Sequence, residues 1–459
     1  MNTTMAIILA TVLLVLATLI PSFLLNRKTS GEAWATANKE LPLYVVVGTQ
    51  FASVFGGGIM VGHLGNAYMN GVGVMIYGVF MVLPFVFLSL IAKWLRKNEF
   101  STIPDILNEY SKGNKAIRVI ASVMTMLFPF GWITSQITAF GSMYSQLTGL
   151  DYTTLCIIFS VISLFFIMPA GLKTVAWTDF LFACFLGIIL ITVMIYGTDM
   201  GSGVRTILEN SDPAMLSFSD SIGLLGWNTI FLWFFAVLPG GMTNQMYFQR
   251  ICAIRDEKKV TKSLMISSVV SLIGFAWAVY MGITIRTING GLDNDTATGW
   301  FMSELPTPLI ACFAGALFAA MMSTVSSAVQ SMAVNITHDI MPVYKPDMTD
   351  KQSLKASRIT CVLIIVFSVF MCLKFTDTLA WLVAMNAFSA AALFCPIFFG
   401  YFLQKKKKLS ATCILVGIVL GIVGAALSMI METKVNYAAM GILLSFVGMV
   451  FVSLVKKEA

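Results

Sequence analysis

Four hydroxyls fall within five residues, Ser323, Thr324, Ser326 and Ser327, in the middle of an otherwise apolar stretch from Ala314 to Val334. On a helix Ala316, Ala319, Ala320, Ser323, Thr324, Ser326, Ser327, Gln330 and Ser331 share an arc of roughly 160°, and Leu317, Phe318, Met321, Met322, Val325, Ala328, Val329 and Met332 fill the other side. Hydrocarbon offers such a stripe no partner, so it must face protein, water or an ion. It carries no charge and presents small oxygen ligands, a donor set that suits a weakly held, desolvated small cation. The competing reading is close helix packing, because hydroxyls and small residues let membrane helices approach. Asp179 is the second anomaly, about one and a half turns beyond Lys173 in GLKTVAWTDFLFACFLGIIL. An ionisable group inside a span is expensive and marks a functional position by default. A bound cation, a proton or hydration near the interface would each neutralise it. The hydroxyls lie at similar depth, counted from His338 at the inner end of their helix, so contact between Asp179 and Ser326 or Ser327 is expected.

The elements that position these residues follow from composition. The chain is 58% hydrophobic and 11% charged, with a mean hydropathy of +0.86, which places it outside the range of soluble domains. Apolar stretches long enough to cross a bilayer recur about thirteen times, which predicts an all-α polytopic membrane protein embedded in a lipid bilayer. The longest pieces outside the membrane fall near 199–225, 286–306 and 336–356, leaving no room for a soluble domain.

The basic excess follows topology, which argues against a nucleic-acid partner. With the N-terminus outside and thirteen spans threaded, one side receives Arg27, Lys28, Lys39, the run from Lys93 to Arg118, Lys173, Arg250 through Lys262, Lys345 through Arg358, Lys405 to Lys408, Lys456 and Lys457. The other receives only Arg205, Arg286, Lys374 and Lys434. The positive-inside rule then puts the C-terminus in the cytoplasm and the chain in the cell membrane. The first span has Arg27 and Lys28 after it and no basic residue before it, the reverse of a cleaved signal peptide. The eight cysteines form no C-x-x-C pair and, with the 29 methionines, read as apolar packing, with no metal cluster or disulfide framework.

Two spans carry helix-breaking residues near their middles. LYVVVGTQFASVFGGGIMVGHLGNAY has Gly56, Gly57 and Gly58, and WNTIFLWFFAVLPGGMTNQMYFQR has Pro239, Gly240 and Gly241. Both are expected to unwind there. They are the second and seventh spans and enter from opposite sides, which is the spacing of a five-plus-five inverted repeat around a midplane binding site. The division expected is an extra helix and loop over 1–40, a first repeat over 41–199, a second over 200–404 and two terminal helices over 405–459. Carbonyls of Ala52 and Phe55 precede the glycines and could face a cation. Amides around Gly57 and Gly58 open the next half-helix, where the dipole favours an anionic group. Close packing alone is the competing role for these glycines.

Several stretches resemble the sodium:solute symporter family across essentially the whole chain. ANKELPLYVVVGTQFASVFGGGIMVGHLGNAY is similar to its first core helix, FSTIPDILNEYSKG to its cytoplasmic segment before the third, and GLKTVAWTDF to its fifth. NQMYFQRICAIRDEKK is similar to the end of the sixth and FAAMMSTVSSAVQSMAVNITHDI to the eighth. The resemblance implies a leucine-transporter-like fold with broken first and sixth core helices, and Na⁺-driven uptake of a small organic solute by alternating access. Matched position by position, it puts one sodium site on the carbonyls of Ala52, Phe55 and Ala320 and the hydroxyls of Ser323 and Thr324. It implies a second on Asp179, Ser323, Ser326 and Ser327, so one or two Na⁺ per cycle.

Where family pockets carry polar or aromatic side chains, this chain has Val54, Gly56, Ile59, Val237 and Gly240. A polyhydroxylated sugar would leave hydroxyls unsatisfied against that lining, which favours a carboxylate or amino acid. Gln50, Ser53, Gln136 and Asn244 are the candidate polar contacts, beside the amide of Gly57. Trp132, Trp233 and Phe234 are candidate caps, with packing as their alternative role, and His63 reads as structural. The alternatives are a proton-coupled symporter using Asp179, a symporter for a sugar or another neutral solute, and a sensory module, for which the chain offers no signalling domain. An enzyme would need a catalytic constellation that two histidines and one buried acid do not supply. No obligate protein partner is implied.

Overall fold

In hydrocarbon every backbone group must be paired within its own segment, so the apolar runs fold as helices. The computed structural model describes residues 3–25, 34, 37–98, 100–167, 171–254, 256–294, 296–375, 378–406, 409–433 and 435–455. Arg27, Lys28, Arg255, Lys407, Lys408, Lys434, Lys456 and Lys457, used above to orient the chain, lie outside the described residues. The principal helices are α1 (Thr3–Leu25), α2 (Leu43–Val54), α3 (Leu64–Asn70), α4 (Met75–Lys97), α5 (Ile103–Tyr110), α6 (Lys115–Thr148), α7 (Tyr152–Ile167) and α8 (Leu172–Met200). After three short helices between Val204 and Leu225 come α9 (Trp227–Met242), α10 (Gln245–Ala253), α11 (Val260–Ile288), α12 (Thr307–Val334), α13 (Asp350–Cys372), α14 (Thr378–Phe394), α15 (Ala411–Ile430) and α16 (Tyr437–Val455). Among the described residues the expected apolar stretches fall on helices. Among the described residues, nine helices are long and apolar enough to cross a membrane, or ten with one bent pair counted, and three more apolar helices are shorter.

The helix pairings repeat five spans apart. α2 packs on α8 as α9 packs on α14, and α3 packs on α11 as α9 packs on α4. α6 meets α7 as α12 meets α13, and α6 meets α14 as α12 meets α8. An odd number of spans per unit inverts the second copy in the membrane, so both broken helices lie beside the same central layer. The most enclosed span is the one containing α12, with 89% of its apolar window buried against 33% for that of α8. Both faces of α12 therefore meet protein, and its hydroxyl stripe points at α2 and α8 and away from lipid.

The two breaks differ from each other. α2 ends at Val54, Phe55 leaves helical geometry at φ −89° and ψ 61°, and a π-helical turn over Gly58–His63 leads into α3. The second break is displaced from its expected place. Helix α9 runs straight through Pro239, Gly240 and Gly241, and the chain unwinds only at Thr243 and Asn244. The Thr243 amide and Thr243 Oγ1 both donate to the Gly240 carbonyl, at 3.1 and 3.0 Å, and close the end of α9. Asn244 Oδ1 accepts from Met246 N at 2.9 Å and starts α10. The glycines here serve close approach: a Cβ on Gly241 would lie 2.5 Å from Pro84, and one on Gly240 2.9 Å from the Asn386 carbonyl.

α5 is pinned across the ends of α6 and α12. A capping box joins Thr102 and Asp105, Arg118 Nη2 lies 3.3 Å from both Asp105 and Asp339, and His338 Nε2 lies 3.1 Å from Asp105. Burial alone would raise the Asp105 carboxyl, but the hydrogen bond and charge of His338 and the charge of Arg118 outweigh it and hold it below its ordinary value.

Candidate functional site

The end of α2 and the middle of α12 meet through oxygen. Thr324 Oγ1 lies 3.4 Å from the Ala52 carbonyl, 3.3 Å from that of Ser53 and 3.0 Å from that of Ala320. One hydroxyl proton cannot serve three carbonyls, so this is a knot of uncharged acceptors with more lone pairs than donors. Such a set fits a small hard cation. Phe55 turns the chain here, and its ring stacks on Phe51 at 5.4 Å and meets Trp277 edge-on at 6.2 Å, anchoring the turn against α11. Gly56 is required by proximity: a Cβ there would lie 2.5 Å from Gln136 Oε1 and 2.7 Å from Thr324 Oγ1. The structure thus brings together Thr324, Ala52 and Ala320 of the expected set, with Ser323 next to Thr324 in the chain.

One turn away the material changes. Asp179 Oδ2 accepts from Thr49 Oγ1 at 2.5 Å and from Ser327 Oγ at 3.2 Å. It also lies 3.5 Å from Arg250 Nη2, and both side chains are fully buried. Arg250 donates further to Ser53 at 2.7 Å, Ser327 at 2.6 Å, Thr49 at 3.0 Å and the Met246 carbonyl at 2.8 Å. Hydration near the interface is therefore excluded for Asp179, and its counter-charge in this conformation is an arginine. The expected contact with Ser327 is present. Ser326 instead donates to the Ser323 carbonyl of its own helix at 3.0 Å. Ser323 lies beside the Asp179 carboxyl, and both side chains are buried.

Arg250 was missed because a basic residue at the end of a span reads as a cytoplasmic charge. Its distance from the break was the available signal. It lies six residues after Asn244, about 9 Å along a helix, too short a reach to leave the membrane interior. All nine residues of α10 are buried.

The expected solute contacts divide into groups. Gln136 Oε1 accepts from Gly57 N at 2.5 Å, so a side-chain amide oxygen occupies the position expected for an anionic solute group. Val54, Ile59 and Val237 are buried and apolar. Trp233 lies edge-on to Tyr77 and lines a cavity of about 250 Å³ with Val61, Gly62, Asn66, Asn294 and Val383, on the α3 side of the break. Other residues are drawn elsewhere. Ser53 belongs to the Arg250 cluster, Gln50 Oε1 accepts from Ser267 on α11, and Gly240 packs on Asn386. Phe234 is 38% exposed and packs edge-on against Phe80 and Phe235, so it is not brought to the pocket. An aromatic residue on a half-buried span turns to lipid as readily as inward. Asn386 was missed, although a lone Asn in AWLVAMNAFSAAALF is a visible polar interruption. Both of its polar side-chain atoms, with Asn244 Nδ2, Trp132 Nε1 and Gln50 Nε2, are buried without a partner among the described residues.

The profile of the sodium:solute symporter family matches residues 34–421. The chain belongs to the sodium:solute symporter family. It is 23% identical over 310 residues to the high-affinity proline transporter PutP of Bacillus subtilis, a match that spans 64% of this chain and 64% of that protein. It is 24% identical over 399 residues to sodium/proline symporter 2 of Staphylococcus saprophyticus, covering 82% and 76%. To the sodium/glucose cotransporter of Vibrio parahaemolyticus it is 23% identical over 383 residues, covering 75% and 69%. In fold it resembles the substrate-bound outward-open state of a Na⁺-coupled sialic acid symporter, with a TM-score of 0.84 at 17% identity over 99% of this chain and 98% of that one. The chain is a multi-pass membrane protein with the inverted-repeat fold expected from its sequence. It is a Na⁺-coupled secondary transporter of an organic solute, with Na⁺ as its coupling ion, and not an enzyme.

Proposed function

We propose that this symporter carries a small carboxylate or amino acid, with proline and similar compact amino acids as the first candidates. The observation that carries the reading is the Gln136 oxygen on the Gly57 amide. An amide oxygen in that position mimics one oxygen of a carboxylate at the start of a half-helix, where backbone donors and the dipole favour negative charge. Val54, Ile59 and Val237 supply apolar walls that suit an aliphatic side chain and leave sugar hydroxyls unpaired. Proline is also what several relatives carry by name, although another is a glucose cotransporter.

The first Na⁺ takes the carbonyls of Ala52, Phe55 and Ala320 with the hydroxyls of Ser323 and Thr324, tying α2 to α12. A second takes Asp179 with Ser323 and Ser327, and Ser326 behind them, and it competes with Arg250 for the carboxylate. Solute docks at the break, and the two repeats, over 41–199 and 200–404, rock about it. The extra helix over 1–40 and the pair over 405–459 stay outside that motion. The N-terminus faces outward and the C-terminus the cytoplasm, in the cell membrane, with no obligate protein partner. Ion and solute favour the same conformation, so each raises the affinity of the other by the same factor. The membrane potential adds about 2.3 kcal/mol per charge per 100 mV.

Uptake into proteoliposomes under an inward Na⁺ gradient tests the reading with labelled proline, alanine, lactate, glucose and sialic acid. Amino-acid or monocarboxylate uptake that K⁺ cannot support is expected. Uptake of a sugar alone would refute the substrate class, and full activity without Na⁺ under a pH gradient would favour proton coupling through Asp179.

A further inference from the structure

Between α2, α8 and α11 lies a cleft of about 490 Å³, apart from the ion sites and from the cavity lined by Trp233. Its walls run from Leu43 and Tyr44 at the start of α2 to Phe51, from Phe180 to Ile191 on α8, and from Ile266 to Trp277 on α11. Its rims are lipid-facing, with Ile191 58% and Ile273 66% exposed. Its floor reaches buried Gly48, Phe51 and Gly274. From Ile266 to Trp277 the helix rises about 16 Å, close to one leaflet of a hydrocarbon core roughly 30 Å thick. An apolar slot of one leaflet's depth, open sideways to the bilayer, takes an acyl chain.

The mouth is different in chemistry. At Leu43 and Tyr44 the cleft continues into a second cavity of about 660 Å³, lined also by Leu41, Pro42, Ile254, Asp256 and Lys259. The segment beside it, from Asp256 to Lys262, carries three lysines, Lys258, Lys259 and Lys262, against two acidic residues. Lys258, Lys259 and Lys262 are exposed, and only Lys259 lies near an acid among the described residues, 3.4 Å from Asp256. Tyr44 is half exposed and meets Trp177 and Phe180 edge-on, the kind of aromatic pair that sits at headgroup level. We propose that this cleft and its mouth form a binding site for one anionic glycerophospholipid, its acyl chain along α2, α8 and α11 and its phosphate beside Lys258, Lys259 and Lys262. Ordinary boundary lipid covers convex helix faces, whereas here the chain would be wedged among three helices and the headgroup held by lysines.

Native mass spectrometry of the full-length, delipidated chain in detergent tests this, with palmitoyl-oleoyl phosphatidylglycerol as probe and the phosphatidylcholine of the same chains as control. One phosphatidylglycerol is expected to stay bound preferentially. A Cβ on Gly187 meets nothing within 4 Å, so Gly187→Phe fills the cleft and is expected to abolish that adduct. The K258Q/K259Q/K262Q variant, altered only at exposed positions, is expected to weaken it about tenfold or more and bring it level with phosphatidylcholine. Equal binding of both lipids by the unaltered chain, or an adduct unchanged in the triple variant, would overturn the site. So would an adduct unchanged in a Gly187→Phe protein that elutes and melts like the parent; if Gly187→Phe does not fold, the lysine variant decides.

Discussion

Thr324 and Ser327 stand one turn apart on α12, yet they serve two unlike clusters. Around Thr324 every ligand is an uncharged oxygen, and three carbonyls compete for one hydroxyl proton. Around Ser327 an ionised pair, Asp179 and Arg250, is buried and braced by Thr49 and Ser53. Neutral oxygens can release an ion at little cost, because nothing left behind carries charge. A buried carboxylate cannot, because an uncompensated charge in this environment is expensive. The second cluster therefore needs a counter-charge at every stage of a cycle, and Arg250 is positioned to supply it whenever an ion does not.

Removing that arginine is the most damaging way to probe the contrast. Arg250→Met leaves Asp179 alone in the interior and is expected to cost about 3–5 kcal/mol of stability, read as a drop in thermal midpoint in detergent. The double variant Arg250→Met with Asp179→Leu should recover most of the loss. If Na⁺ and Arg250 alternate at Asp179, Na⁺ should raise the midpoint of Arg250→Met more than that of the parent, by mass action, and K⁺ should not. Equal responses to the two cations would remove the second Na⁺ from the scheme.

The neutral cluster should behave in the opposite way. Ser323→Ala with Thr324→Ala removes hydroxyls but no charge, so stability should fall by only about 1–2 kcal/mol while Na⁺ stimulation of uptake disappears. Thr324→Ser keeps the hydroxyl and should retain most of the stimulation. Sodium dependence that survives the double alanine variant would break the assignment of the first site.

The sequence carried the neutral cluster further than the charged one, for a physical reason. Hydroxyls in an apolar helix have no bland surface explanation, so Ser323 and Thr324 were conspicuous, and the glycines after Phe55 pointed to their partner. Asp179 and its contact with Ser327 were legible for the same reason. Arg250 was hidden because a basic residue at a span's end satisfies the topology rule without further account. The Pro239–Gly241 motif misplaced the second break because its glycines serve close packing against Asn386 and Pro84 within a continuing helix, and the chain unwinds only at Thr243 and Asn244. The repeat was legible from the spacing of the two interrupted spans. The direction taken by Phe234 was not, because sequence does not say which face of a half-buried span meets lipid.

Gln136 tests the solute side of the comparison. Gln136→Ala leaves the buried Gly57 amide unpaired, which should cost about 1–3 kcal/mol in the absence of solute. A carboxylate solute restores a partner to that amide, so its stabilising effect should be larger in the variant than in the parent, measured as a shift in thermal midpoint with saturating solute and Na⁺. A smaller shift in the variant would mean that Gln136 contacts the solute directly and that the Gly57 amide does not.

The smallest effect is expected at the far end of α12, where counter-charges are arranged but partly open to water. Asp105 is flanked by Arg118 at 3.3 Å and by His338 at 3.1 Å, with its own side chain 18% exposed. Its folded value lies below its ordinary one of 3.8, so the ionised form is favoured by folding. The stabilisation is then present in full above the ordinary value and fades as pH falls through the lower folded one. Asp105→Asn should therefore lower the thermal midpoint modestly at neutral pH, while the variant and parent curves converge in acid below about pH 4. A gap that persists in acid would mean that Asp105 contributes through its capping hydrogen bonds to Ser101 and Thr102, and that its charge pairs add nothing. The contrast with Asp179 would then be sharper, since only the fully buried carboxylate would depend on its arginine.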